Sequence, residues 1–433
     1  MLADPTMQTL LDARPSAIAE EPAWLTDWRE AARQRFVELG LPTPRNEAWR
    51  FTDLRPLRAA LSAQANASIS PSAGELTPHR LTDAHHRLVF VDGRLDSAQS
   101  RVGLLRGVWC GSMAEALATR PELAEAALSA ADAHDARPFA ALNAAQFTDG
   151  MLLALEPGVV MDRPLELVCL RMTPSGPPVQ LRHCITLGAG SQATVVESAF
   201  GDGAGCSNHV TTAALADQAR LTYVKLQAEP DTALHLAELR VQLGRAAKLD
   251  GVFLSLGGRL SRQDIQVALA GEDAELALHG TYLLRGAQEA VIAPFVDHRV
   301  ANCRTTELFK AVLDDAAHGV FLGSIAVREG ADGTQAHQQN RNLLISRTAR
   351  ADTRPELTIY ADEVKCSHGA TVGDLDESAL FYLQARGLTP AAARAMLIDA
   401  FAAEPIDAAA LPPAIRDWLH FHLAAWLGTG EVR

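Results

Sequence analysis

The 433-residue chain is long enough for two or three domains or for one elongated domain, and its 48% hydrophobic content excludes global disorder. Its net charge of −13 argues against a surface that binds nucleic acid or anionic membranes. No apolar run approaches the roughly 18 residues of a membrane-spanning helix. The N-terminal residues show no basic segment followed by an apolar block, so the sequence does not indicate a secretory signal. The expected location is therefore the cytoplasm.

Six cysteines are spread along the chain, and none forms a CxxC pair. This pattern predicts reduced thiols instead of a disulfide framework, and it excludes a self-contained zinc or four-cysteine cluster motif. A GxxxxGK[ST] motif is also missing, so the chain is not expected to bind ATP through a P-loop. The cysteines are Cys110, Cys169, Cys184, Cys206, Cys303 and Cys366.

Residues 1–80 predict a helical N-terminal region followed by a linker. In the segment PAWLTDWREAARQRFVELG, apolar side chains recur at helical spacing, and Gly40 is the predicted stop. Residues 62–78 are rich in Ser, Pro and Ala and predict the linker. The predicted helical face consists of Trp24, Trp28, Ala32, Phe36 and Leu39.

The middle of the chain repeats with a period close to 28 residues. Within each repeat, apolar and polar residues alternate as in a strand, and amphipathic helices are missing between about 181 and 360. Short turn segments begin at Leu187, Leu215, Leu243 and Leu269, at intervals of 28, 28 and 26 residues, with weaker echoes at Leu155, Leu313 and Ile345.

These features predict a mainly β fold whose core, residues 81–373, contains a parallel β-helix, or β-solenoid, with two or three short strands per coil. A large antiparallel sandwich with coincidental spacing is the alternative. An Ala-rich stretch at about 112–146 predicts a helical insert before the repeats.

Residues 374–433 predict a C-terminal helical region. Asp376 is the expected N-cap of a helix that stops at Gly387, and Thr389 is the expected N-cap of the next helix. A third helix carries an apolar stripe that must be covered, either as a cap on the core or by a partner. That stripe consists of Ile415, Trp418, Leu419, Leu423, Trp426 and Leu427.

The segment DEVKCSHGATVG places Cys366 and His368 two residues apart in a strand-like run. In a strand they would share one face, about 6.6–7 Å apart at Cα. Both can ligate iron, and the imidazole could instead lower the pKa of the thiol. A buried cysteine and a histidine bonded to the backbone are the structural alternative.

A cluster needs about four ligands, so this pair alone is incomplete. Further ligands would come from a second chain or from distant residues such as His298, Cys303 or His337, although a structural role is favoured for each of these three.

At these residues the chain resembles the SufB/SufD family of the SUF iron–sulfur cluster assembly system. The resemblance is strongest in TELFKAVLDDAAHGVFLGSIAV, QAHQQNRNLLIS, TRPELTIYADEVKCSHGATVG and ALFYLQARGL. It extends more weakly to RNEAWRFTDL, VFVDGRLD and FAALNAAQFTDG, so nearly the whole chain is covered. No cysteine follows Cys366, which favours the SufD side of the family over a SufB-like paralogue.

The resemblance implies a right-handed parallel β-helix between helical terminal regions. It implies a non-enzymatic scaffold that pairs with a SufB-like paralogue through the β-helix and carries a SufC-like ATPase on its C-terminal helices. A nascent iron–sulfur cluster would form at the interface, with His368 as this chain's metal ligand and Cys366 as a second candidate ligand. The family complex is also associated with a reduced flavin, which no residue here places. Whether a homodimer forms when the partner is absent is left open by the sequence.

Two other functions remain open at this point. The chain could be a pure adaptor whose motif merely closes the β-helix. It could also be a carbohydrate-acting β-helix enzyme, against which the missing signal peptide and the lack of clustered acids on successive coils both argue.

Overall fold

The computed structural model describes residues 5–12, 21–61, 81, 86–103, 105–129, 137–173, 177–202 and 204–428. Its dominant element is a β-solenoid, and helices precede, interrupt and follow it. The predicted linker at 62–78 lies outside the described residues. Among the described helices, none is long and apolar enough to cross a membrane.

The helices begin and end close to the predicted signals. The predicted N-terminal helix ends at Gly40, whose φ is +67° and whose N–H donates to the Phe36 carbonyl. Asp376 and Thr389 each cap a helix through their side chains, as predicted. The helices are α1 (Pro5–Asp12), α2 (Ala23–Leu39), α3 (Leu54–Leu61), α4 (Met113–Thr119), α5 (Pro121–Ser129), α6 (Pro138–Gln146), α7 (Glu377–Ala385), α8 (Pro390–Ala408) and α9 (Pro413–Leu427), with a 3-10 turn at Glu47–Trp49.

Most strands of the solenoid alternate between two sheets, so that one coil contributes one strand to each. The strands are β1 (His86–Val91), β2 (Arg94–Leu95), β3 (Val108–Ser112), β4 (Met151–Leu155), β5 (Leu165–Arg171), β6 (Val179–Leu187), β7 (Gln192–Gly201), β8 (Cys206–Leu215), β9 (Arg220–Gln227), β10 (Leu234–Leu243), β11 (Lys248–Ser255), β12 (Leu260–Leu269), β13 (Glu275–Leu284), β14 (Glu289–His298), β15 (Arg304–Leu313), β16 (His318–Phe321), β17 (Ser324–Val327), β18 (Gln335–Leu344), β19 (Arg350–Thr353), β20 (Glu356–Ile359) and β21 (Lys365–Gly373).

Sheet A has the order β2-β1-β5-β7-β9-β11-β13-β15-β18-β21. Sheet B has the order β19-β16-β14-β12-β10-β8-β6-β4-β3, and β17 and β20 extend it beside β14. Pairing between coils is parallel, which rules out the antiparallel sandwich.

The repeat leucines stack directly on one another. Leu187 pairs with Leu215, Leu215 with Leu243, and Leu243 with Leu269, all in parallel register in sheet B. All four are buried in the space between the two sheets, called the lumen below. The period seen in the sequence is therefore the length of one coil.

Several successive coils turn at a residue with positive φ. Gln218, Ala246, Asp273 and Asn302 adopt φ between 53° and 61° at successive corners, although none is a glycine. Adjacent corners also form hydrogen bonds with each other. The Gln218 N–H donates to the Arg245 carbonyl, and the Ala246 N–H donates to the Glu272 carbonyl. Contacts between coils thus offset the conformational cost of a left-handed residue.

The apolar stripe of α9 is covered by the chain itself. Ile415, Trp418, Leu419 and Leu423 pack with Val196 and other outward-facing residues of sheet A, whose opposite side faces the lumen. Of the two predicted covers for this stripe, the structure shows the cap on the core. In contrast, α7 buries no residue, and Phe381 is 74% exposed.

Candidate functional site

The last strand of sheet A leaves one edge open. β21 pairs with β18 along its whole length, and it ends the strand order of sheet A in the described part of the chain. Most of its residues are exposed. This edge, Lys365–Gly373, is called the open end below. An unpaired edge presents backbone donors and acceptors to another strand.

Cys366 and His368 lie on the side of β21 that continues the lumen. Cys366 pairs with the buried Ala336 and packs against the lumen core. His368 pairs with the buried Gln338 and is itself exposed. Because side chains two apart in a strand share a face, both groups point to the same side, as the sequence predicts. Burial raises the pKa of the Cys366 thiol, so the isolated chain holds it protonated at neutral pH.

The other predicted ligand candidates have partners elsewhere. His298 is fully buried, with its Nε2 2.9 Å from the Thr305 hydroxyl. The Cys303 thiol donates to the Gly271 carbonyl over 3.4 Å. His337 is on the outer side of its strand and lies 2.8 Å from the Ser367 hydroxyl. These contacts suit the structural roles that the sequence favours for them.

Buried polar side chains form the floor beneath the open end. Gln338 donates from its amide to the Glu307 carboxyl at 2.8 Å, and both residues are 1% exposed. Burial raises the pKa of Glu307 to about 7, and the bond from Gln338 offsets part of that rise. Asn340 and Asn342 continue the layer and bond to each other at 2.7 Å. This layer of buried polar side chains lies inside the lumen.

A second group of metal-ligating residue types lies deeper in the lumen. One ligand atom from each of Cys169, His183, Glu197 and His209 falls within 4.8 Å of the others, and all four residues are buried. Cysteine, histidine and carboxylate are ligands of iron and zinc. The composition and spacing of this group therefore fit iron or cluster binding.

The carboxylate of this group already has strong partners. Lys225 and Tyr223 both donate to Glu197, and the Thr211 hydroxyl donates at 3.1 Å. Burial pushes the Glu197 pKa upward, but the Lys225 ammonium and His209 outweigh it and hold that pKa well below its usual range. Glu197 is therefore ionised and paired with an internal cation.

The two histidines of the group are neutral. Burial lowers the pKa of His183 to about 3 and that of His209 to about 4. The Met151 N–H donates to Nδ1 of His183 at 2.9 Å. The proton of this ring therefore sits on Nε2, which faces the Cys169 sulfur at 3.9 Å.

Short sequence motifs do not reveal this group, although the sequence carries a signal for it. Cys169, His183 and Glu197 are 14 residues apart, which is half of the 28-residue coil, and His209 follows after 12. Half a coil moves the chain from one sheet to the other, so residues at this spacing face each other across the lumen. Neighbouring-residue motifs do not show that relationship.

Comparison with known proteins agrees with the motif-based resemblance. A model of the SUF system FeS cluster assembly SufBD core domain matches residues 170–401, and a model of the SufBD protein N-terminal region matches residues 7–167. The chain is 31% identical to an iron–sulfur cluster assembly SufBD family protein of Synechocystis over 422 residues, which cover 92% of each chain.

Two further relatives cover most of the chain. It is 31% identical to the iron–sulfur cluster assembly protein SufD of Escherichia coli over 385 residues, or 87% of each chain. It is 26% identical to the chloroplastic protein ABCI7 of Arabidopsis thaliana over 93% of this chain and 87% of that protein. With its stacked parallel coils, its CSHGATVG strand and these matches, the chain belongs to the SufBD family of iron–sulfur cluster assembly proteins.

Proposed function

We propose that the protein is a SufD-type, non-enzymatic scaffold subunit that pairs with a SufB-like paralogue through its open end and helps to hold a nascent iron–sulfur cluster there. Membership of the SufBD family implies work alongside other SUF proteins in general. The identity of the partner, the pairing surface and the ligands are what we propose. The expected location of the protein is the cytoplasm, in keeping with its six free cysteines.

The observation that carries the proposal is the placement of His368. Its imidazole is exposed on the last strand of sheet A, beside a backbone edge that can accept another strand. A histidine with only a structural role would be expected to be buried and bonded, as His298 is. An exposed imidazole next to an unpaired edge suits a contact that spans two chains.

Iron or a nascent cluster is the cargo of this site. His368 would supply a ring nitrogen, and Cys366 would supply a thiolate once its proton is lost to solvent or to the partner. Two side chains leave a cluster under-ligated, so the partner chain would supply the remaining ligands. Such a divided site suits transient assembly because separating the chains releases the cargo.

The C-terminal region, 374–433, is the proposed docking site of a SufC-like ATPase. α9 is already buried against sheet A, so the docking surface is assigned to α7, where Phe381 and Tyr382 are 74% and 57% exposed. Exposed aromatic side chains are typical anchors of protein interfaces. In this proposal, ATP hydrolysis takes place in the partner.

Other functions receive less support. A reduced flavin is not proposed, because neither the described residues nor the matched relatives support it. The SufB-like alternative is disfavoured by the match to SufD over most of both chains. The carbohydrate-acting enzyme has no support from the family models. The pure adaptor differs from the proposal only in ligation, so the experiment below separates the two.

The test is anaerobic reconstitution of the complex with His368→Ala, and with His337→Ala as the matched control on the neighbouring strand. We expect His368→Ala to abolish the visible absorption of the assembled cluster while the complex still elutes intact. The control should assemble the cluster like the wild type. Normal cluster formation in an intact His368→Ala complex would favour the pure adaptor and contradict the proposed ligand role.

A further inference from the structure

The deeper group in the lumen has the residues of a metal site, but a lysine is bonded to its carboxylate. Zinc and iron bind cysteine, histidine and carboxylate ligands at about 2.0–2.3 Å, so four atoms within 4.8 Å need only small side-chain movements to reach one ion. Cys169, His183, Glu197 and His209 come from four different strands, and the solenoid fixes their relative positions.

The Lys225 ammonium is bonded to the carboxylate that a metal ion would have to use as a ligand. It pairs with Glu197 in register on the adjacent strand and bonds to Oε1 of that carboxylate. His209 approaches the same oxygen at 3.5 Å. A divalent ion bound to Glu197 would lie next to the ammonium in a region that is closed to water, where repulsion between like charges is strong.

The charges of the buried groups also disfavour a divalent ion while the lysine is present. Glu197 and Lys225 are both almost fully buried, and together they are neutral. The neighbouring ligands, Cys169 and the two histidines, are also uncharged in the folded chain. Adding a divalent ion would leave the group with excess positive charge, whereas removing the ammonium would leave an unpaired carboxylate that a cation can neutralise.

We infer that Lys225 closes this ligand group to divalent metal ions, and that removing its ammonium creates a buried site for Zn²⁺ or Co²⁺ on Cys169, Glu197 and His209. Binding would release the Cys169 thiol proton to solvent as the sulfur–metal bond forms. His183 is the weakest of the four ligands because its Nε2 carries a proton while Met151 donates to Nδ1. A water molecule would take the fourth position.

The inference gives the lysine a role in a protein that handles iron. Without the ammonium, a buried ligand group of this kind would trap iron far from the open end. An internal ammonium prevents such trapping without changing the ligand residues. This role rests on the proposed function, but the metal-binding behaviour of Lys225 variants does not.

The experiment uses the full-length chain with Cys366→Ala and His368→Ala in every variant, so that the open end binds no metal. Protein with its cysteines kept reduced is refolded from denaturant with Co²⁺, because a buried site is best loaded while the chain folds. Thiolate–cobalt charge transfer in the near-ultraviolet reports a bond to sulfur. Lys225→Ala is compared with Lys225→Arg, which keeps the positive charge.

We expect Lys225→Ala to bind Co²⁺ with a thiolate–cobalt band, to lose that band when Cys169→Ser is added, and to melt at a higher temperature with metal than without it. Lys225→Arg and the parent should show neither band nor stabilisation. A Cys169-dependent band in the parent would overturn the inference. So would a Lys225→Ala chain that folds without binding metal.

A folding failure is also informative. Unfolded Lys225→Ala that folds when Co²⁺ or Zn²⁺ is supplied supports the inference, because the metal replaces the missing cation. If neither metal restores folding in Lys225→Ala or in the closer-sized Lys225→Gln, the inference is wrong. None of these outcomes depends on cluster assembly, so they are separable from the His368→Ala result.

Discussion

His368 pairs in register with Gln338, so the exposed imidazole lies directly beyond a fully buried polar residue on the lumen side of sheet A. Gln338 in turn bonds to Glu307 one coil further in. The proposed ligand therefore stands over an ordered polar layer. Below it, the Oε1 atoms of Gln338 and Glu307 have no hydrogen-bond partner among the described residues.

The first prediction concerns the backbone edge of β21. The Lys365 N–H donates to Thr334, on the β18 side, and alternate residues of a strand point their N–H groups to opposite sides. The Ala370 N–H therefore points to the open edge. Ala370→Pro should weaken binding to a SufB-like partner by about 1–3 kcal/mol, because one bond across the interface is lost.

Calorimetric titration of the partner into the variant measures this loss, and thermal unfolding checks the isolated chain. Thr371→Pro is the matched control. Its N–H points toward β18, so it should destabilise the chain itself. Equal partner affinity of Ala370→Pro and wild type would show that the interface does not use this edge.

The second prediction concerns α7. Phe381→Asp should weaken binding of a SufC-like ATPase by about 2 kcal/mol or more, because an aromatic anchor is replaced by a charge. The melting temperature should stay unchanged, since Phe381 is 74% exposed. Pull-down with the purified ATPase measures the effect, with Gln384→Asp on the same helix as control. Unchanged retention of the ATPase would move the docking site away from this helix.

The third prediction concerns Glu307. Its folded-state pKa of about 7 lies above the ordinary value of 4.5, so the folded chain holds this proton more tightly than the unfolded chain. Its contribution to stability is complete below pH 4.5 and is lost as the pH rises through 7. Relative to Glu307→Gln, the unfolding free energy of the wild type should fall by about 2.5 kcal/mol between pH 5 and pH 8.

Urea unfolding of both proteins at pH 5 and pH 8 measures this difference. Comparison with Glu307→Gln cancels the contributions of other titrating groups. Parallel pH profiles of the two proteins would mean that Glu307 does not retain a proton in the folded chain.

The fourth prediction concerns the close approach of adjacent coils at Gly271. A Cβ at this position would lie 2.0 Å from the Arg245 nitrogen, which is backbone and cannot move aside. Gly271→Ala should lower the unfolding free energy by about 1–3 kcal/mol. Gly373→Ala is the control, because nothing lies within 4 Å of its added Cβ. Equal urea midpoints for the two variants would contradict this account.

The sequence predicts the solenoid well because one coil is one sequence period. The stacked leucines at Leu187 and Leu215 show this directly. The echo at Leu313 has another origin, since Leu313 pairs with Leu284 and Leu344 in sheet A and not with the sheet B leucines. Periodicity thus predicts the coil but does not assign every leucine to its sheet.

The candidate sites differ in how visible they are from sequence. Cys366 and His368 are neighbours in one strand, so the local motif reveals them. Glu197 and Lys225 are 28 residues apart and meet only because adjacent coils stack in register. The packing of α9 against sheet A is also not predictable from the sequence. Whether Trp418 contacts a partner or sheet A depends on where the helix folds back.

The stacked left-handed corners have a consequence for how this molecule can change length during evolution. Inserting one residue into a strand such as β7 would exchange the outward-facing Val196 with the lumen-facing Glu197, and every later side chain of that strand would change sides. It would also shift corners such as Gln218 and Ala246 out of line. Tolerated insertions and deletions within the stack should therefore come as whole turns, each bringing its own left-handed residue.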